Sequence, residues 1–97
     1  MPGYIGLLKY TQQGLADIKN GPERMKQSQA LAQKMGVRPI GTWVTMGPYD
    51  LVIIGEAPDD QTIAAFALAL AKAGNVTTTM MRALSEEEFA QVVARLP

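Results

Sequence analysis

The stretch IGTWVTMGPYDLVIIGEA, residues 40–57, contains the strongest fold signal in this sequence of 97 residues. Its first part, residues 40–46, is rich in β-branched and aromatic residues, which favour strands. Residues 47–49 then provide turn chemistry, and an apolar run resumes over residues 50–57. We therefore predict a β-hairpin at the centre of the chain.

The residues before the hairpin indicate a strand and a helix. Residues 4–10 form a short apolar and aromatic run that suits a first strand. Residues 12–19 suit a short helix, which the Asn-Gly-Pro sequence at 20–22 interrupts and restarts. The main helix continues to about Met35, where Gly36 suits a left-handed C-terminal cap.

The residues after the hairpin indicate a helix, a strand and a further helix. Residues 58–60 begin a helix that continues to Ala73, and residues 76–83 form a fourth strand. The sequence Ser-Glu-Glu-Glu at 85–88 is a capping box with acidic residues in the first turn. The last helix then has an apolar stripe at helical spacing, formed by Phe89, Val92, Val93 and Leu96.

This order of elements predicts an α+β domain of the ferredoxin-like class, βαββαβ, with an extra C-terminal helix. In the third strand, Leu51 and Ile53 point to one face of the sheet, and Val52 and Ile54 point to the other. Both faces are therefore apolar, and something must cover the second one. The C-terminal helix and a second copy of the chain, packed sheet against sheet, are the two candidates.

The composition describes one small domain over residues 1–97 and excludes several kinds of site. Nine Lys and Arg balance nine Asp and Glu, which argues against electrostatic binding to nucleic acid or membrane. Because the chain has neither His nor Cys, it cannot form a disulfide, a thiolate nucleophile, a Cys/His zinc site or a Ser-His-Asp triad. We expect no cofactor and no metal.

The beginning of the sequence lacks the cationic start and long apolar region of a secretory signal. The most apolar windows, residues 51–57 and 63–71, are much shorter than the roughly 20 residues of a spanning helix. We therefore expect a cytoplasmic protein with no membrane segment.

The central motif and several shorter ones resemble the GYD domain family. The resemblance includes a Gly, Tyr and Asp ahead of an apolar strand and an acidic helix start, and it covers nearly the whole chain. The matching residues are Gly47, Tyr49 and Asp50 of the hairpin, together with Tyr10-Thr11, Gln13-Gly14, Pro22, Arg24, Gly74-Asn75-Val76 and Arg82-Ala83. The resemblance implies a dimeric α/β barrel, in which the sheets of two chains pack together. It implies no particular activity.

Three residues are candidates for catalysis. Tyr49 and Asp50 have a structural interpretation, in which Asp bonds the turn backbone and the Tyr ring covers the base of the hairpin. In the functional interpretation they lie at the mouth of a pocket, with the phenol as donor and the carboxylate as base. Glu56 is a second candidate base, because it is a charge on an otherwise apolar strand.

Four residues are candidates for binding a ligand. An aromatic or charged residue on a strand either packs in a core or interface, forms a pair, or faces a cavity. Trp43 and Arg82 could also donate a hydrogen bond to a developing oxyanion. The predicted ligand-binding residues are Tyr10, Trp43, Tyr49 and Arg82.

Three hypotheses for function follow. The first is a small homo-oligomer that assembles through the sheet and has a pocket for a small apolar or aromatic molecule. The second is an enzyme, because the implied barrel is similar to that of cofactor-free monooxygenases and isomerases acting on small aromatic or lactone substrates. The third is a non-catalytic module that senses an effector. The first is favoured, because the predicted sheet is apolar on both faces and the resemblance implies assembly through the sheet; the other two are alternatives.

Overall fold

The fold of residues 1–97 is described by a computed structural model. Four strands and four α-helices follow the predicted order along the chain. They are β1 (Gly3–Tyr10), α1 (Gln12–Ala16), a 3₁₀ turn (Ile18–Asn20), α2 (Gly21–Lys34), β2 (Arg38–Val44), β3 (Leu51–Glu56), α3 (Asp60–Lys72), β4 (Val76–Ala83) and α4 (Glu86–Val93).

The four strands form one antiparallel sheet in the order β2-β3-β1-β4. β1 pairs with both β3 and β4, so the first strand lies inside the sheet, and β2 and β4 are its edges. β2 pairs with β3 through the predicted hairpin. The element order and the antiparallel sheet agree with the predicted ferredoxin-like α+β class.

Two elements differ in their bounds from the sequence prediction by more than one residue. β2 spans Arg38–Val44 rather than 40–46, because its pairing with β3 begins at the first of these residues. The register shifts between Pro39 and Gly41, which marks a β-bulge. The single short helix predicted over 12–19 is divided into α1 and the 3₁₀ turn.

The predicted helix caps are confirmed. The Asp59 carboxylate accepts a hydrogen bond from the Thr62 backbone N–H at 2.8 Å and so caps α3. At α4, the Ser85 hydroxyl and the Glu88 carboxylate each accept the other residue's backbone N–H at 3.1 Å, which completes the capping box. These polar contacts explain why both helices begin where they do.

The buried core lies between one face of the sheet and the helices α2 and α3. It combines side chains from β1 and β3 with three residues of α3 and one of α2. Its members are Tyr4, Leu8, Ala32, Val37, Leu51, Ala57, Ile63, Phe66 and Leu70. Such a core is small for a chain of this length, because neither α4 nor the opposite face of the sheet contributes a buried residue.

The chain is thin and elongated, with extents of 52 × 30 × 19 Å. The short dimension corresponds to two layers, one of helices and one of sheet, because stacked layers lie about 10 Å apart. α4 follows β4 at one end, and all its residues except the half-buried Glu88 are exposed. The C-terminal helix, one of the two candidate covers, therefore does not cover the second face of the sheet.

Candidate functional site

The most extensive candidate surface is the sheet face that points away from α2 and α3, here called the open face. Residues alternate along each strand, and the register aligns side chains of neighbouring strands on the same face. Because Tyr4 and Leu8 are buried beneath the helices, the alternate residues Ile5 and Leu7 point outward. The apolar side chains of the open face are Ile5, Leu7, Trp43, Val52, Ile54 and Met81.

Trp43 occupies the β2 side of the open face, and its side chain is largely accessible. The residue is 52% exposed, although it lies within a strand. Its indole ring lies across Gly41, so closely that a Cβ atom at Gly41 would overlap the ring. The missing side chain at Gly41 therefore permits the tryptophan to lie flat against the sheet.

α4 adds a second apolar surface at the end of the chain. Its stripe of Phe89, Val92, Val93 and Leu96 is between 45% and 68% exposed. The helix is linked to the sheet by an ion pair between Arg82 and Glu88, with a nitrogen to oxygen distance of 2.8 Å. An amphipathic helix with an uncovered apolar face is typical of an interaction surface.

On the opposite side of the sheet, a cavity of about 130 Å³ lies between the sheet and the helices. α2 packs over β2 and α3 packs over β4, so the two helices lie above the two edges and leave a space over the central strands. Its apolar lining includes Leu8, Ile53, Phe66, Met25 and Met80.

The hairpin motif is held by hydrogen bonds to the first strand. The Asp50 carboxylate accepts the backbone N–H of Tyr10 at 2.8 Å, and the Asp50 backbone N–H donates to the carbonyl of Leu8 at 2.9 Å. Gly47 has a φ of +127°, a conformation that favours glycine. The sequence suggested that Asp50 bonds to the backbone of its own turn. In the structure its carboxylate bonds instead to the backbone of the first strand.

The Tyr49 ring lies beside Lys9, whose Nζ is 5.7 Å from the ring centroid. The Tyr49 carbonyl accepts the hydroxyl of Thr45 at 2.7 Å, which closes the loop of the hairpin. Glu56 lies at the other end of β3 and pairs with Arg38 at 3.1 Å. Asp50 and Glu56 are thus about 20 Å apart along the strand, at about 3.4 Å per residue. The three candidate catalytic residues do not form one cluster.

The four predicted ligand-binding residues are distributed over different parts of the molecule. Tyr10 lines the cavity, whereas Trp43 lies on the open face. Tyr49 is in the hairpin loop, and Arg82 is near the end of β4. Of the four, the structure brings only Tyr10 to the cavity. The lining also includes residues of α2, such as Met25. The sequence did not assign them to a cavity, because helical spacing alone does not distinguish a cavity wall from an ordinary core.

Arg82 stands beside a buried tyrosine at the start of the sheet. Its guanidinium carbon is 5.7 Å from the ring centroid of Tyr4. The Tyr4 hydroxyl donates a hydrogen bond of 2.6 Å to Asp60. This bond, assisted by desolvation, raises the pKa of Tyr4 above its ordinary value, while the positive charge of Arg82 acts in the opposite direction. The arrangement keeps Tyr4 neutral and fixes the start of α3 to β1.

No three His, Cys, Asp or Glu side chains come together in a way that could hold a metal ion. None of the helices has the length and the hydropathy needed to span a bilayer.

The architecture defines a small ferredoxin-like α+β domain with an uncovered apolar sheet face. The chain belongs to the GYD domain family, whose sequence model matches residues 4–93. The resemblance seen in the hairpin motif is thereby confirmed.

Two known proteins are similar to this chain over most of its length. A protein of Thermus thermophilus, named as a glutamine synthetase and cystathionine beta-lyase binding protein, is 37% identical over 97 residues, covering 99% of each chain. The crystal structure of FFRP-DM1 superposes with a TM-score of 0.63 at 19% identity, covering 87% of this chain and 100% of that one. The second similarity concerns the fold alone.

Proposed function

We propose that this protein is a homo-oligomeric binding module, whose subunits assemble sheet against sheet through the open face and whose assembled form binds a metabolic enzyme. The observation that carries the proposal is the uncovered apolar face of the sheet. A contiguous apolar surface on a small soluble domain marks an interaction site. The apolar side chains on this face do not contribute to the core of a single chain. A partner subunit that covered the face would bury them and so enlarge the apolar core.

A second copy of the chain is the occupant that best matches the open face. Two sheets that pack face to face bury the alternate residues of each strand, and Ile5, Val52 and Ile54 lie at such alternate positions. A twofold arrangement uses the same patch on both subunits, so packing the two apolar sheets together covers the open face of both subunits at once. The assembly would have the form of a dimeric α/β barrel.

The α4 helix extends this interface in the proposed assembly. Met81 belongs to the open face, and α4 begins five residues later. The apolar stripe of α4 therefore follows the open face closely along the chain. A helix that adds its stripe to the partner subunit would bury Phe89 and Leu96, which are 61% and 68% exposed in the single chain.

The enzyme partner is proposed from the relative in Thermus thermophilus. That protein is named for binding glutamine synthetase and cystathionine beta-lyase, and the similarity covers 99% of both chains. We infer that this chain likewise binds a glutamine synthetase, as a protein-binding module. The cavity beneath the helices supports a further component of the proposal, a site for a small apolar molecule.

Analytical ultracentrifugation with the purified glutamine synthetase of the same organism tests enzyme binding. We expect the protein to sediment with the enzyme, and we expect a variant with Val52→Glu to lose both its own assembly and the enzyme. Leu68→Glu provides the matched control, because Leu68 is 71% exposed on the outer side of α3. If the wild-type chain and the enzyme sediment separately at micromolar concentrations, the enzyme-binding proposal is wrong.

A further inference from the structure

We propose that the cavity between the sheet and the helices α2 and α3 binds small uncharged ring compounds, in the size range from benzene to indole. This inference rests on the small-molecule component of the proposed function and specifies its place and ligand class. It does not depend on the assembly of subunits, because the cavity and the open face lie on opposite sides of the sheet.

The size of the cavity sets the upper limit for the ligand. Its volume of about 130 Å³ is close to the volume, about 150 Å³, of an apolar cavity that admits benzene. A single ring therefore fits without major rearrangement. The thioethers of Met25 and Met80 lie in the wall and can adapt to slightly larger outlines.

The chemistry of the wall selects an uncharged ligand. Leu8, Ile53 and Phe66 present hydrocarbon surface to the interior. A charged group placed there would lose its hydration without gaining a partner, which is strongly unfavourable. A flat aromatic ring, by contrast, exchanges water for close apolar contacts on both faces.

Arg24 is the one charged residue in the lining, and its charge is already paired. Its guanidinium lies 3.0 Å from the Asp17 carboxylate and also donates to the carbonyl of Gly14 at 3.1 Å. A carboxylate ligand would have to compete with Asp17 for this group. The hydroxyl-bearing residues Ser28 and Tyr10 in the same lining can instead accommodate one neutral polar substituent, such as the hydroxyl of a phenol.

The experiment is a methyl-detected NMR titration of the full chain with toluene, phenol and benzoate as probes. We expect toluene and phenol to shift the methyl signals of Leu8, Ile63 and Leu70 saturably, and we expect benzoate to bind at least tenfold more weakly. Ala32→Leu places a larger side chain at a buried lining position and should weaken toluene binding at least tenfold. Ala30→Leu, at an exposed position of the same helix, is the matched control and should bind as the wild type does.

Val52→Glu separates this proposal from the assembly, because it alters only the open face and should retain toluene binding as a monomer. Ser28→Leu, at the half-buried edge of the lining, replaces Ala32→Leu if that variant does not fold. The proposal is overturned if toluene produces no saturable shift, if only open-face methyls such as those of Ile5 and Val52 respond, or if the filled variant binds toluene as well as the wild type. Equal binding of benzoate would overturn the assignment of an uncharged ligand.

Discussion

The carboxylate of Asp50 accepts the backbone N–H of Tyr10 at 2.8 Å, which joins the hairpin loop to the end of the first strand. The two residues are 40 positions apart in the sequence. Through this bond, the aspartate of the Gly-Tyr-Asp motif fixes the position of β1 relative to β2 and β3. Its observed interaction is thus structural, and it accounts for the presence of an acidic residue directly before an apolar strand.

Removing this carboxylate should destabilise the fold. A hydrogen bond to a charged acceptor contributes about 1.5–3 kcal/mol, so we expect Asp50→Ala to lower the free energy of unfolding by about 2 kcal/mol. Asp50→Asn retains an acceptor oxygen and should lose less than the alanine variant. Urea denaturation followed by circular dichroism measures both changes. Equal stability of the alanine variant and the wild type would show that the bond does not contribute.

Gly14 lies where α1 approaches the connection between α3 and β4. A Cβ atom at this position would overlap the backbone carbonyl of Asn75, and backbone cannot move aside as easily as a side chain. We expect Gly14→Ala to destabilise the protein by about 1–3 kcal/mol, the usual cost of overpacking. Gly21→Ala is the control, because its Cβ would only touch Ile18 at 3.7 Å. Thermal unfolding should therefore distinguish the two variants clearly.

Gly41→Ala should change the environment of Trp43 with little change in stability. The added methyl group overlaps the indole ring of Trp43. Because the overlapping atoms are at the far end of that side chain, the ring can rotate away from the methyl group. We expect a shift in tryptophan fluorescence and weaker self-association, because the ring forms part of the open face. In Gly3→Ala the new Cβ lies at an ordinary 3.6 Å from the Ala83 carbonyl, so fluorescence should be unaffected. An unchanged spectrum for Gly41→Ala would contradict the position assigned to the indole.

Acidification should weaken the start of α3. The backbone N–H and the hydroxyl of Thr62 both donate to Asp59, and these hydrogen bonds lower the pKa of Asp59. Because the folded pKa is lower than the unfolded one, the contribution of Asp59 is fully present above the unfolded value and is lost as the pH falls through the folded value.

The measurement is the free energy of unfolding between about pH 6 and about pH 2, for the wild type and for Asp59→Asn. The wild type should lose more stability than the variant over this range, because asparagine does not titrate. Parallel profiles for the two proteins would show that Asp59 does not contribute to the pH dependence.

Local chemistry made most of the fold predictable from the sequence. The apolar residues at 51–54 correctly indicated a sheet with two apolar faces, since strand side chains alternate regardless of what surrounds them. The caps at Asp59 and Ser85 were also predictable, because each side chain bonds to a residue only three positions later in the sequence.

The features that were not predictable depend on contacts between distant parts of the chain. The cavity exists because α2 and α3 lie over opposite edges of the sheet, and the periodicity of each helix contains no information on the space between them. Likewise, the sequence could not show that Asp50 bonds to Tyr10. The placement of α4 away from the open face was also undetermined, since its apolar stripe would suit either the sheet of its own chain or that of a partner.

The most direct test of the proposed assembly is native mass spectrometry of the untagged protein, together with its Val52→Glu and Leu68→Glu variants. The account predicts a dimer or an even multiple for the wild type and for Leu68→Glu, and a folded monomer for Val52→Glu. A monomeric wild type, or a Val52→Glu variant that assembles as the wild type does, would contradict the assignment of the open face as the subunit interface.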